Sequence, residues 1–257
     1  MSIWRAVAEL EDKHEAGVLC TIIHSQGSTP RHAGSKMLVY ADGSITGSVG
    51  GGELESRTIT AALESINDGK PRRLDYSMSD PEEGDPGVCG GQVEIYMEPI
   101  VPKPTLVVVG AGHVGRAVAH LAHWLDFRVV VSDDRPEFCD PEVIPEAAEF
   151  FPVPFEQLSD QIKISPWTYL VLTTRSVDID VPGLPKILDS PAAYIGVIGS
   201  KRRWETTRKQ LEEAGISADK INRVQSPMGI EIHAETPEEI AVSIMAEIIQ
   251  IRRGIES

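Results

Sequence analysis

The stretch Thr105-Leu-Val-Val-Val-Gly-Ala-Gly-His-Val-Gly115 decides the fold of the second half of the chain. Its first five residues are a continuous apolar run, which is typical of a parallel strand that is buried on both faces. Gly110, Gly112 and Gly115 follow in the spacing Gly-x-Gly-x-x-Gly, and a helical pattern comes after them. This order predicts the strand, turn and helix that open a Rossmann-type dinucleotide-binding unit.

Each residue type in that turn suits a nucleotide. Gly110 would make the turn, Gly112 would let a pyrophosphate approach the backbone, and Gly115 would let the helix pack closely. His113 stands where the helix begins, so it is either a ligand contact or an exposed side chain, and the second is favoured. Asp133, 23 residues beyond Gly110, is the predicted acceptor for a ribose diol.

The ligand itself stays open at this point. Arg135 follows Asp133 closely, which leaves both NAD and NADP as candidates. The alternative is a glycine-rich turn of an α/β fold that holds no ligand.

The residues beyond the turn continue the α/β pattern. We predict further strands at 127–132, 169–173 and 194–198, and helices from Gly115 to about Asp126, at 201–214 and at 237–252. Thr236 as N-cap, Pro237 at the first position and Glu239 in a capping box mark the start of the last helix. The fold class is therefore α/β with a C-terminal, Rossmann-like, doubly wound parallel sheet.

The first half has a different pattern, which is typical of a mixed α+β domain. We predict helices at 2–16 and 53–67 and strands at 18–23, 36–40 and 93–97. Pro99, Pro102 and Pro104 then interrupt the chain, so we predict a boundary there, with domains at 1–100 and 104–257.

Composition excludes several classes of partner. The net charge of −15 argues against broad binding to nucleic acid or to an anionic membrane, both of which need a basic face. We find neither a signal peptide nor an apolar run long enough to span a bilayer, so the expected location is the cytoplasm. The three cysteines are widely spaced and predict reduced thiols rather than disulfides or a structural zinc site.

A second glycine-rich region lies in the first half, at Gly47-Ser-Val-Gly-Gly-Gly-Glu53. It resembles a backbone cradle for an anion, although it lacks the Gly-Lys-Ser/Thr ending of a P-loop. The candidate ligand-binding residues are Arg31, Lys36, Gly50, Gly51, Gly52, Glu53, Cys89, Gly90 and Gly91. The alternative is that the glycines only allow two backbones to pack closely.

Cys89 is the thiol that stands among glycines in a predicted loop. Near cations such a thiol can ionise and become a nucleophile or a ligand for a soft metal, whereas most lone loop cysteines are inert. Cys20 lies in the middle of a predicted strand and is expected in the core.

Lys201, Arg202 and Arg203 follow a predicted strand and open a helix. Three cations beside free N–H groups predict an anion site, and a solvated helix start is the equal alternative.

Three functions fit these residues. One is a cofactor-handling protein, and another is an NAD(P)-dependent oxidoreductase, although we can assemble no acid–base pair for hydride transfer. The third is a regulatory protein in which a nucleotide biases a hinge near residues 98–104. The serine-hydrolase elbow Gly-x-Ser-x-Gly and the metalloprotease motif His-Glu-x-x-His are both missing.

Several motifs in one order resemble the xanthine dehydrogenase accessory protein family of the XdhC/CoxI type, over nearly the whole chain. The matching segments are Gly27 to Val39, Gly47 to Glu55, Cys89-Gly-Gly91, Val109 to Gly115, Asp133-Asp-Arg135, Tyr194 to Arg203 and Ala234 to Ala241.

The resemblance implies a cytoplasmic, typically dimeric chaperone that binds the molybdenum cofactor (molybdopterin). This favours a maturation chaperone over an enzyme and leaves an NAD(P)-dependent oxidoreductase as the alternative. Such a chaperone assists sulfuration of the cofactor and inserts it into xanthine dehydrogenase-like molybdoenzymes. The implied partners are the apo-molybdoenzyme and a cysteine desulfurase. The first-half residues from Arg31 to Gly91 named above would hold the cofactor.

The chain departs from the family pattern at two positions. Val177 stands where the family has histidine, in Thr174-Arg-Ser-Val-Asp-Ile-Asp180. His233 stands where the family usually has glycine.

Overall fold

The computed structural model describes residues 2–77 and 91–254. These residues divide between two compact units, Met1–Pro102 and Lys103–Ser257. Cys89 and Gly90 lie outside the described residues.

The first unit is an antiparallel sheet with helices on both faces. Its elements in chain order are α1 (Ile3–Asp12), β1 (Gly17–Gln26), β2 (Lys36–Tyr40), β3 (Ile45–Gly47), α2 (Gly52–Asp68), β4 (Arg72–Ser77) and β5 (Gln92–Ile100). The strand order is β3-β2-β1-β5-β4, and each neighbouring pair runs antiparallel.

Alternation along β2 shows how the two faces are filled. Met37 and Val39 are buried in the core that contains Leu54 and Ala62 of α2. Leu38, between them, is buried with Ala6 and Leu10 of α1 on the opposite face. This is the period of two that a pleated strand imposes on its side chains.

The second unit is a parallel sheet with helices on both faces. Its elements are β6 (Thr105–Val109), α3 (His113–Trp124), β7 (Arg128–Ser132), a 3₁₀ turn (Pro136–Phe138), β8 (Glu149–Phe151), α4 (Phe155–Leu158), β9 (Thr168–Leu172), α5 (Val177–Ile187), β10 (Tyr194–Val197), α6 (Lys201–Glu213), α7 (Ala218–Ile221), β11 (Val224–Gln225) and α8 (Pro237–Arg252). The strand order β8-β7-β6-β9-β10-β11 is the 3-2-1-4-5-6 order of the Rossmann fold. The predicted fold class is therefore confirmed.

The predicted capping box at the start of α8 is present. Oγ1 of Thr236 accepts a hydrogen bond from the N–H of Glu239, and the Glu239 carboxylate accepts one from the N–H of Thr236.

One predicted helix end is wrong. The first helix ends at Asp12, with His14 in the left-handed region at a φ of 53°, rather than continuing to residue 16. Gly17 is already the first residue of β1. In the described part of the chain, the helices are all too short or too polar to cross a bilayer.

Candidate functional site

The Gly110–Gly115 turn lies where the strand order of the parallel sheet reverses. At this point β6 has β7 on one side and β9 on the other, and open α/β sheets bind ligands in the crevice at such a switch point. A cavity of about 180 Å³ is present there. The residues that line it are Val109, Gly110, Gly112, Ser132, Asp133, Asp134, Arg135, Val153, Phe155, Thr173, Thr174, Arg175 and Ile179.

The three glycines meet three different surroundings. A Cβ on Gly110, whose φ is +101°, would lie 2.6 Å from the carbonyl oxygen of Thr173. A Cβ on Gly115 would lie 2.0 Å from the carbonyl oxygen of Gly110, so this glycine lets α3 pack against the end of β6. A Cβ on Gly112 would meet no atom within 4 Å, and Gly112 is one of the residues that line the cavity.

The carboxylate of Asp133 is buried and holds the glycine-rich turn in place. Its Oδ2 accepts a 2.8 Å hydrogen bond from the N–H of Ala111 and a 2.9 Å bond from Nη2 of Arg135. Its Oδ1 accepts bonds from the backbone N–H and from Nε of Arg135, at 3.0 and 2.9 Å. The predicted bond to a ribose diol stays a prediction, and these protein donors already occupy the carboxylate.

Arg135 lies at the cavity beside an aromatic ring. Its guanidinium is 3.8 Å from the centre of the Phe138 ring, and Arg116 is 5.3 Å from the same centre. Nε of Arg116 donates to the carbonyl oxygen of Ala111 at 3.1 Å. Two arginines are thus fixed against the 3₁₀ turn and the glycine-rich turn.

A second ion pair crosses the end of β6. Nη1 and Nη2 of Arg175, after β9, donate to the two carboxylate oxygens of Asp134, after β7, with both distances 2.6 Å. These hydrogen bonds hold the pKa of Asp134 down, at about 2. Sequence reasoning missed this pair, although Asp134 lies two residues after the end of β7 and Arg175 lies three residues after the end of β9.

The three cations of the predicted anion site at the start of α6 do not share one environment in the structure. Lys201 and Arg202 are exposed, whereas Arg203 turns inward and binds Thr174 and Asp180. Ser200 caps the helix by accepting a hydrogen bond from the N–H of Arg203. The three cations therefore do not converge, because the third is the partner of a buried carboxylate.

The glycine-rich parts of the first unit come together at the loop between β1 and β2. A Cβ on Gly50 would lie 2.6 Å from Cγ of Pro30, and a Cβ on Gly91 would lie 2.3 Å from the carbonyl oxygen of Ser28. Gly51 and Gly52 also have positive φ angles, of 80° and 61°, and a Cβ on either would meet no atom within 4 Å.

The predicted polar residues of this region differ in their surroundings. Arg31 is exposed, and Glu53 is paired with Arg57 at 2.9 Å. Nζ of Lys36 donates to Oγ1 of Thr21 at 2.9 Å and lies 5.6 Å from the centre of the Trp4 ring.

His113 and Cys20 are the remaining residues whose positions were predicted from the sequence. His113 is exposed at the first position of α3. Cys20 is buried in β1, and burial raises its pKa to about 12. Within residues 2–77 and 91–254, no group of three or more histidine, cysteine, aspartate or glutamate side chains could hold a metal ion.

Both units match known protein families. Residues 106–248 match the family described as the XdhC Rossmann domain, and residues 10–77 match the XdhC and CoxI family. The first match alone covers more than half of the 257 residues. The chain belongs to the XdhC family.

This XdhC-family chain is similar to several curated proteins. It is 36% identical over 263 residues to YqeB of Escherichia coli and 33% identical over 161 residues to a protein of Bacillus subtilis named as a probable xanthine dehydrogenase subunit. It spans about half the length of these two proteins, 47% in each case. It is also 23% identical to PaoD of Escherichia coli, named a molybdenum cofactor insertion chaperone, over 98% of this chain and 88% of PaoD.

A solved structure supports the fold of this XdhC-family chain. The crystal structure of a protein named a xanthine dehydrogenase from Bacillus halodurans is 24% identical, with a TM-score of 0.54. The similarity covers 100% of this chain and 97% of the other.

The two departures from the XdhC pattern occupy different structural positions. Val177 is the first residue of α5, three residues before the buried Asp180. His233 is exposed and has a φ of 55°, a conformation that glycine adopts without strain. The glycine that the resemblance implies at this position would suit this backbone.

Proposed function

We propose that this chain binds the molybdenum cofactor and assists its insertion into xanthine dehydrogenase-like molybdoenzymes. The name of PaoD, a relative that this chain matches over nearly its whole length, supports this function. Family membership supports it as well.

The observation that carries the proposal is the backbone around Gly51 and Gly52. Both lie at the start of α2, a helix of 17 residues whose N-cap makes no side-chain hydrogen bond. Both have open space where a side chain would be, and the loop of the exposed Arg31 packs against the adjoining Gly50 through Pro30. Uncapped amides at a helix N-terminus, with a cation in the adjoining loop, suit the phosphate of a pterin cofactor.

In this proposal the other first-unit residues have separate roles. Gly51, Gly52 and Glu53 supply backbone N–H groups, whereas the N–H of Gly50 donates to Oγ of Ser48 at 3.1 Å. Gly91 lies close to the same loop, since a Cβ on it would lie 2.3 Å from the carbonyl oxygen of Ser28. Lys36 has no role in this cradle, because its Nζ lies over Trp4 of α1, on the face of the sheet opposite to α2.

Cys89 is the proposed contact to the soft end of the cofactor. A thiolate suits molybdenum or a transferred sulfur, so we extend the proposal to assistance in sulfuration. The partners in that step are a cysteine desulfurase and the apo-molybdoenzyme. We further propose that the chain acts as a cytoplasmic homodimer.

Retention of the cofactor tests the proposal. The full chain is incubated with isolated molybdenum cofactor and passed through a gel-filtration column. Molybdenum is measured by mass spectrometry and the oxidised pterin by fluorescence. The wild-type chain should retain both, whereas Arg31→Ala and Cys89→Ala should retain at least fivefold less.

The matched control is Arg5→Ala. Arg5 is another exposed arginine of the first unit and lies in α1, paired with Glu9. It should leave retention unchanged. Normal retention and normal activation of an apo-molybdoenzyme by Cys89→Ala would remove the proposed role of that thiol.

A second function is favoured by the crevice of the second unit. We propose that the Gly110–Gly115 turn binds a nucleotide there, because the turn lies at the switch point and Gly112 has open space where a side chain would be. In this proposal Gly112 and His113 lie beside the nucleotide, and Gly110 and Gly115 shape the turn. Asp133 holds the turn in place through the N–H of Ala111. Lys201 and Arg202 stay candidates for an anion contact on the exposed start of α6.

Measurements of nucleotide binding and of turnover distinguish a regulatory role from an oxidoreductase. A nucleotide that binds without a change in absorbance at about 340 nm in the presence of candidate substrates favours a regulatory role over an NAD(P)-dependent oxidoreductase.

A further inference from the structure

We infer that the crevice of the second unit selects nucleotides that carry a phosphate on the ribose 2′ position over nucleotides with a free 2′-hydroxyl. The inference rests on the proposed nucleotide binding and adds the chemical class of the ligand. The surroundings of Asp133 and Arg135 carry it.

Asp133 has no acceptor capacity left for a ribose diol. In dinucleotide-binding folds an acidic residue at this position accepts hydrogen bonds from the ribose hydroxyls. The two carboxylate oxygens of Asp133 accept four hydrogen bonds, from the N–H of Ala111 and from three N–H groups of Arg135. An ionised carboxylate offers about four lone-pair sites. The residue that would favour a free 2′-hydroxyl is therefore engaged within the protein.

Arg135 retains donors for an anion. Its side chain uses Nε and one N–H of Nη2 on Asp133, which are two of the five N–H groups of a guanidinium. About a third of the side chain, 34%, is exposed, and Arg135 lines the cavity. Contact with the Phe138 ring and the bonds to Asp133 fix the plane of the guanidinium. A fixed guanidinium with free N–H groups is well suited to a phosphate.

The charges around the cavity permit a phosphate to approach. The charged residues that line it are two aspartates, Asp133 and Asp134, and two arginines, Arg135 and Arg175. Each carboxylate is paired with one of these arginines. An incoming phosphate therefore meets no unpaired carboxylate among the lining residues, and Arg116 adds a third guanidinium against the Phe138 ring.

An unsatisfied hydroxyl gives independent support for a polar ligand. Ser132 is fully buried at the end of β7 and lines the same cavity, and its Oγ has no hydrogen-bond partner in the described part of the chain. Buried hydroxyls without a partner are uncommon, because an unmade hydrogen bond costs free energy. A ligand oxygen in the cavity would supply the missing partner.

Two matched probes test the inference by calorimetry on the full chain. Adenosine 2′,5′-bisphosphate and adenosine 5′-monophosphate differ in the 2′-phosphate alone. The bisphosphate should bind the wild-type chain at least tenfold more tightly. Arg135→Gln should reduce this ratio to less than threefold, because the bisphosphate loses the guanidinium and the freed carboxylate of Asp133 can accept from the ribose hydroxyls of the monophosphate.

Controls keep the result interpretable. Arg135→Lys keeps the charge without the planar fork, so it should give an intermediate ratio if Arg135→Gln is poorly folded. Arg208→Ala, at an exposed arginine of α6 paired with Glu212, should leave the ratio unchanged.

Three results would overturn the inference. Equal affinities, or tighter binding of the monophosphate, would refute the selection while leaving nucleotide binding intact. A ratio that persists in both Arg135 variants would refute the assigned residue. Binding of neither probe would refute nucleotide binding and this inference together, and would leave cofactor retention by the first unit to its own test.

Discussion

The buried carboxylate of Asp180 accepts a 2.6 Å hydrogen bond from Nη2 of Arg203. Arg203 also donates to the carbonyl oxygen and to Oγ1 of Thr174, a residue that lines the cavity, and Thr174 in turn donates to Asp180. The pair thus joins α5 and α6 to the loop after β9.

Removing the charge of Asp180 should destabilise the second unit strongly. Asp180→Asn leaves the guanidinium of Arg203 largely buried without its counter-charge, which costs about 3–5 kcal/mol when one partner of a buried pair is removed. Urea unfolding should show this loss in the free energy of unfolding. Glu212→Gln, which breaks the exposed pair with Arg208, should cost less than about 1 kcal/mol. A loss of similar size in both variants would contradict the structural role of Asp180.

Substitution by alanine should destabilise the protein at Gly115 and be tolerated at Gly112. In Gly115→Ala the new Cβ would collide with the carbonyl oxygen of Gly110, so we expect a loss of about 1–3 kcal/mol in the free energy of unfolding. Gly112→Ala meets open space at a φ of −71° and should change stability by less than about 0.5 kcal/mol.

Nucleotide titration of the same two variants distinguishes an effect on the packing of the turn from an effect on nucleotide binding. Gly112→Ala should fold normally and still bind more weakly, because its methyl group enters the space proposed for the pyrophosphate. Unchanged binding by a folded Gly112→Ala variant would argue against that placement.

The Asp134–Arg175 pair should stabilise the protein in a defined pH range. The pKa of Asp134 is lowered from 3.8 to about 2, chiefly by its hydrogen bonds to Arg175. The stabilisation is therefore complete above about pH 4 and is lost as the pH falls towards 2. Because Arg175 is 49% exposed, solvent screening limits the contribution to about 1 kcal/mol or less.

A comparison of wild type with Asp134→Asn across pH measures this contribution. The difference in the free energy of unfolding should be present at about pH 6, shrink below about pH 4, and be reduced in about 1 M salt. A difference that is constant from about pH 6 to pH 2 would show that the lowered pKa of Asp134 is not its source.

Cys20 should be chemically inert in the folded protein. Its side chain is buried in β1 and burial raises its pKa to about 12, so the reactive thiolate is scarce at pH 8. Iodoacetamide labelling followed by peptide mapping should show Cys20 unmodified in buffer and modified in urea. Equal rates in the two conditions would contradict the burial of Cys20.

Local signals explain what could be predicted. The strand β6 and the start of α8 were predicted with the bounds observed, because an apolar run and a capping box are each written in adjacent residues. The helix α5 was missed because Pro182 and Pro185 lie inside it, although tertiary packing buries Leu184 and Ile187. The strands β8 and β11, of three and two residues, are too short to show a period.

Contacts between distant residues could not be predicted. Asp134 and Arg175 are 41 residues apart, and they meet because β7 and β9 flank β6 in the sheet. The same sheet order turns Arg203 inward to Asp180, 23 residues away, so a run of three cations does not form the expected cluster.

The sequence by itself determined the Rossmann turn, since Gly110 and Gly115 stand where backbone atoms lie too close for a side chain and Gly112 stands at the cavity. The tertiary structure alone decided which charged groups of the crevice are free to meet a ligand. Whether Asp133 is free to meet a ribose or is held by Arg135 and Ala111 depends on side-chain hydrogen bonds across the turn. Such bonds are set by the positions of strand ends in space, which residue spacing does not specify.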